Sequence, residues 1–270
     1  MGAADTKSLI NAMEHADCLI PEIPGHCEYT KLDGVLTCTS STDDPMSNKA
    51  MLARLEADSA DAVIGKVKAY FTSKCKPFSW IVGPSSTPTD LVSRLQAAGF
   101  DQSLIADGMY LPDLKARIEF TESVSVRELP VDQPGPTVDI MARGFNMTVE
   151  TSRQLHETMV LSARSMHTRI YAAYLDGVEN PVACAFLAHF SDRPIALLCG
   201  GATLPEYRGR GLYKALLARR LADTAKAGME DVIVLADQKT SAPICAKVGF
   251  VKVCELQMYV WKPDKGSASG

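Results

Sequence analysis

The chain has 270 residues, a formal net charge of -4, 46% hydrophobic and 22% charged residues, a composition that suits one large or two small globular domains. The net acidity argues against non-specific nucleic-acid binding, and no run of about 18 apolar residues provides a membrane span. The opening Met1-Gly-Ala-Ala-Asp-Thr-Lys7 has neither the basic segment nor the apolar run of a secretion signal, and the eight cysteines include no Cys-x-x-Cys pair. These features point to reduced thiols in a cytoplasmic protein without a metal site.

In chain order, Glu28–Leu32 and residues 35–38 flank Asp33-Gly34 and read as a hairpin, and residues 51–71 read as mostly helical. Phe78–Val82 is an apolar strand run, followed by a helix over 90–98, Gly99-Phe100, and a strand closing on Met109-Tyr110. Prolines 112, 130, 134 and 136 mark residues 113–136 as a seam, inside which Val124–Leu129 reads as a strand. Helices are expected at Thr137–Phe145 and over 150–163, then a hairpin of Arg169–Leu175 and residues 182–190 across Asp176-Gly177. A buried strand over 195–199 leads into a glycine-rich turn and a helix over 212–227, capped by Gly228. A strand over 232–236, a helix ending in Lys247-Val-Gly-Phe250 and a strand closing on Met258-Tyr259 complete the pass.

The last three elements repeat an earlier trio. Each copy is strand, helix, Gly-Phe and strand, with nine positions from Phe100 to Met109 and eight from Phe250 to Met258. The chain therefore reads as two related halves, 1–117 and 118–264, with residues 265–270 as a disordered tail. The first half has no counterpart of the glycine-rich turn.

That turn, Arg208-Gly-Arg-Gly211, joins a strand to a helix whose apolar positions 212, 216, 217 and 221 recur at helical spacing. The first amides of such a helix are unpaired and the dipole favours an anion, so the turn suits a phosphate. The two glycines let the backbone approach a ligand closely.

From Val124 to Trp261, with Pro205-Glu-Tyr-Arg-Gly-Arg-Gly211 at the centre, the chain resembles the GNAT superfamily of acyl-CoA N-acyltransferases. Arg208 and Gly211 fit the family signature, whereas Tyr213 occupies its final small position. The terminal Lys247-Val-Gly-Phe250 is similar to the end of the family's last helix. The resemblance implies an α/β fold of two tandem GNAT-like halves, each a mixed, mostly antiparallel sheet flanked by helices, with the first half degenerate. It implies acetyl-CoA as acyl donor, its pyrophosphate cradled by Arg208, Gly209, Arg210, Gly211, Leu212 and Tyr213. The pantetheine arm would lie along Ala202, Thr203 and Leu204. The implied reaction is direct attack of a small-molecule amine on the thioester, with no covalent enzyme intermediate and no nucleic-acid or membrane partner.

The expected catalytic groups depart from the family pattern. Where relatives place a tyrosine that protonates the leaving thiolate, five positions before the Phe of Gly-Phe, this chain has Cys245. The strand before the turn ends in Cys199-Gly200-Gly201 with no carboxylate, which leaves His189, or His156 or Glu157 on a helix, as candidate bases. Each of these also has a plain structural reading, as a packed or solvent-facing side chain. Met141, Phe145, Met147, Met159 and Met166 could shape an acceptor pocket, but core packing is the better reading. Two rival functions stay open: a non-catalytic acyl-CoA-binding or regulatory module, and a protein or peptide N-acetyltransferase.

Overall fold

The computed structural model describes residues 5–114, 118, 123–132 and 135–263. Parts of the expected seam, and the expected tail over 265–270, lie outside them. In chain order the elements are α1 (Thr6–Glu14), β1 (Glu28–Leu32), β2 (Val35–Thr39), β3 (Lys49–Met51), α2 (Ala60–Ser73), β4 (Phe78–Val82), α3 (Leu91–Ala97) and β5 (Asp101–Tyr110). After these come β6 (Val124–Leu129), α4 (Thr137–Phe145), α5 (Val149–Met166), β7 (Arg169–Leu175), β8 (Ala183–His189), β9 (Ile195–Thr203), α6 (Leu212–Lys226), β10 (Asp231–Asp237), α7 (Ala242–Lys247) and β11 (Val251–Trp261). The repeated order is present as β4-α3-β5 and β10-α7-β11. No described helix is long and apolar enough to cross a membrane.

The chain packs into two compact units, and neither is a continuous stretch. One comprises residues 5–21 and Asp107–Val253, the other Glu22–Ala106 and residues 254–263. This division differs from the expected 1–117 and 118–264 because the final strand of each half is exchanged. β11 lies antiparallel to β4, with Tyr259 opposite Trp80, while β5 lies beside β10 and the Leu111 amide donates to Val232 O at 3.0 Å. The two closing strands bury different members of their Met-Tyr pair: Met109 in β5 and Tyr259 in β11.

In the first unit named, β6 to β9 form an antiparallel run and β10 pairs with β9 in parallel. Its core joins Ile170, Phe186, Leu198 and Val234 of the sheet to Met141 of α4, Leu216 of α6 and Cys245 of α7. In the other unit, α2 lays Val63, Ile64, Val67 and Phe71 onto the sheet at helical spacing. Phe71 stacks on Phe78 with ring centroids 4.1 Å apart. The expected helix over 51–71 starts only at Ala60. Before it, β3 pairs with both β2 and β4, and Leu52 leaves that strand at φ 54.

Candidate functional site

β9 and β10 run together only from Ile195 opposite Asp231 to Leu198 opposite Val234, although both strands continue further. The divergence coincides with a bulge in β9: Cys199 faces Phe186 and Ala202 faces Cys184, so Gly200 and Gly201 together oppose Ala185. Bulges bend a strand and raise its twist. Gly200 is at φ 58, and a Cβ there would come within 2.3 Å of the Phe186 ring, so only glycine fits. Beyond the bulge one edge of β9 stays on β8, with Thr203 opposite Ala183 and the Leu204 amide donating to Val182 O at 2.9 Å. Among the described residues, the edge that faced β10 has no strand partner there. The result is a notch whose wall offers unpaired backbone to an extended ligand.

At the end of β9 a short 3-10 turn, Pro205–Tyr207, leads into the glycine-rich segment. Gly209 and Gly211 take φ 77 and φ 80, and Gly211 caps α6 without a side-chain hydrogen bond. The first paired amide of α6 is Ala215, donating to Gly211 O at 3.0 Å; the amides of residues 209–214 meet no acceptor among the described residues. Six successive free N–H groups at a helix N-terminus form an anion site. A Cβ on Gly209 would meet nothing within 4 Å, so the space in front of the turn is open.

The two arginines of the turn have different tasks. Arg208 donates from Nη2 to Gly144 O at 2.8 Å and from Nε to Thr203 O at 3.4 Å, clipping the end of α4 to the end of β9. The Arg143–Glu206 ion pair, 2.7 Å, adds a second clip between α4 and the 3-10 turn. Arg210 lies over the Tyr207 ring at 5.4 Å and remains exposed.

Behind the turn, Tyr213 reaches into the notch. A Cβ on Gly201 would lie 2.7 Å from its ring, and its hydroxyl is 3.7 Å from Cys245 Sγ on α7. Burial raises the pKa of both the phenol and the thiol, so both are neutral at pH 7. On the same face of α6, Arg220 is 1% exposed and donates to the carbonyls of Leu216, Phe186 and Cys199. Arg220 carries no motif that singles it out along the chain, although its spacing of seven from Tyr213 and three from Leu217 places it on the buried face of α6.

The structure thus brings Ala202, Thr203, Leu204, residues 208–213 and Cys245 to one notch, and leaves His189 out. His189 sits opposite Ala196, at the end of β9 remote from Thr203. It lies 6.5 Å from the His167 ring, and burial, with His167 and Arg169 nearby, lowers its pKa. His156 is buried between helices, with Nδ1 3.2 Å from Thr137 Oγ1, and Glu157 faces solvent. Met141 and Met159 pack into the core and Met166 is buried, whereas Phe145 is exposed.

The family model described as acetyltransferase (GNAT) family matches residues 140–250, the segment that builds the notch and the turn. This segment is a GNAT domain. The whole chain is similar in fold to a GCN5-related N-acetyltransferase from Kribbella flavida, with 13% identity, TM-score 0.69, and coverage of 96% of this chain and 97% of that one. A tandem GNAT protein from the clavulanic acid biosynthesis pathway matches at 14% identity and TM-score 0.61 over 98% of both chains. A functionally unknown conserved protein from Staphylococcus epidermidis matches at 13% identity and TM-score 0.64, over 90% of this chain and 96% of that one. The fold is therefore that of tandem GNAT proteins from end to end. No curated protein matches the chain.

Proposed function

We propose that the C-terminal GNAT domain transfers the acetyl group of acetyl-CoA to the amine of a small molecule, in the cytoplasm, by direct attack. The observation that supports this most is the run of free amides over 209–214 beside the unpaired edge of β9. The amides and the open space at Gly209 fit a pyrophosphate. Ala202 and Thr203 would lie along a pantetheine arm entering as an added strand, whereas Leu204 has its amide on Val182 O and its carbonyl taken by the Tyr207 amide. The thioester would then lie in the notch, near Tyr213 and Cys245. β9 offers no carboxylate or imidazole, and burial raises the pKa of its Cys199 thiol, so the amine proton is assigned to water. The first half has no glycine between β3 and α2, and its role in this reading is scaffolding.

The test is incubation with acetyl-CoA and a library of small amines, with release of the free coenzyme thiol as readout. Release that depends on an amine supports the reading. Acetyl-CoA binding without turnover on any amine would favour a binding or regulatory module, and release only with peptides would favour a peptide acetyltransferase.

A further inference from the structure

Arg220 is the only arginine or lysine with a buried side chain among the described residues. It has no carboxylate partner there, and its Nη2 is buried without a hydrogen-bond acceptor. The nearest acid on its helix, Asp223, is engaged by Arg169, Arg219 and the Tyr171 hydroxyl. Three main-chain carbonyls solvate the guanidinium in part, but they do not neutralise it. A buried cation without a counter-ion is costly unless an anion arrives to pair with it.

Its position indicates which anion. Nη1 touches Cys199 O at 3.5 Å, the residue at which β9 parts from β10, so the charge lies at the closed end of the notch. Its Cζ is 6.0 Å from the centre of the Tyr213 ring. The titratable groups facing it are Tyr213 on its own helix, Cys184 of β8, Cys199 of β9 and Cys245 of α7. Burial holds Cys184 near 12 and Cys199 near 11 and raises the other two, so none of these four supplies a negative charge at pH 7. The Asp17 carboxylate acts on Cys199 from α1's side, and no carboxylate is ion-paired with Arg220 among the described residues.

On the transferase reading, the group that acquires charge at the closed end of the notch is the sulfur of the donor. We propose that the Tyr213 hydroxyl and Arg220 together receive the negative charge of the departing coenzyme thiolate. The amine nitrogen bonds to the acyl carbon and its proton passes to water. The carbon–sulfur bond breaks with its electron pair going to sulfur. The Tyr213 hydroxyl then donates a hydrogen bond to the thiolate and keeps its own proton, in line with a phenol whose pKa burial has raised. Tyr213 acts on sulfur directly; Arg220 is a positioning residue that supplies the countercharge. In this way Tyr213, the residue that breaks the signature's last small position, takes over where Cys245 replaces the family's tyrosine.

The test compares affinities for free coenzyme A and for acetyl-CoA by calorimetry from pH 6.5 to 9, since only the former can ionise at sulfur. Wild-type protein should bind coenzyme A progressively tighter relative to acetyl-CoA as pH rises, by up to about tenfold for each unit by which the bound thiol's pKa falls. The rise should be accompanied by the ultraviolet absorbance of bound thiolate. Arg220→Met should flatten the rise, Arg220→Lys should restore part of it, and Tyr213→Phe should reduce it. A flat ratio in wild-type protein that binds acetyl-CoA would overturn this inference and leave the transferase reading standing. Failure of wild-type protein to bind either compound would overturn both. The wild-type profile decides the matter even if an Arg220 variant does not fold.

Discussion

The Tyr213 hydroxyl stands 3.7 Å from the Cys245 sulfur, joining the first turn of α6 to α7 across the notch. Cys245 is fully buried there, and burial raises its pKa. Cys75, in contrast, is exposed. A disulfide reagent at pH 8 should therefore label Cys75 rapidly and Cys245 only on unfolding, because the thiolate is the reactive form. Mass spectrometry after brief labelling checks this; fast modification of Cys245 in native protein would contradict the neutral, enclosed thiol.

Gly211 holds φ 80 at the cap of α6. A β-branched residue there is strained by about 1–2 kcal/mol and turns the first amides away from the anion site. Gly211→Val should keep the fold but lose the rise in melting temperature that acetyl-CoA confers on wild type. Unchanged protection would remove the turn from the binding site.

Gly200 combines φ 58 with a 2.3 Å approach to the Phe186 ring. Gly200→Ala should cost about 3 kcal/mol, the sum of left-handed strain and overpacking. Denaturant unfolding would measure it. A loss below about 1 kcal/mol would mean that the bulge relaxes freely.

Burial lowers the pKa of His189, with a smaller contribution from His167 and Arg169. The folded protein then binds this proton less readily than the unfolded chain, so stability is complete above pH about 6.5 and falls as pH drops below it. His156 behaves alike, through burial. His189→Asn should make the stability profile shallower between pH 6.5 and 5, measured by chemical unfolding at each pH. Turnover would be less affected than stability, because His189 lies away from the notch.

Burial alone would raise the Asp223 carboxyl, but hydrogen bonds from Arg219 and Tyr171 and the charge of Arg169 outweigh it and hold the pKa below the usual value. A depressed acid stabilises the fold above pH about 4, and that contribution is lost as pH falls through the lower, folded value. Asp223→Asn at pH 7 should cost about 3 kcal/mol, since it leaves Tyr171 and two arginines around a neutral amide. Its acid limb should also be flatter than that of wild type.

Much of the second half was legible because its signals are local. Apolar runs outlined the strands, glycine and aspartate located the hairpin of Arg169–Leu175 at Asp176-Gly177, and the repeated Gly-Phe marked the ends of α3 and α7. In the first half, the three residues of β3 are too few for a period to show, so the strand went unread and its last residue, Met51, was merged with the helix that follows.

By itself the sequence determined the element types of the second half, the duplicated order and the glycine-arginine turn, since each depends on neighbours within a few positions, but it missed α1 and β3. Only the tertiary structure decided which strand closes which unit, because strand pairing is a long-range choice that neighbours within a few positions do not encode. It also decided that His189 lies opposite Ala196, at the end of β9 remote from Thr203, and that Tyr213, Arg220 and Cys245 meet where β9 and β10 part. A helix turn and a strand bulge align these side chains, and no spacing along the chain encodes that alignment.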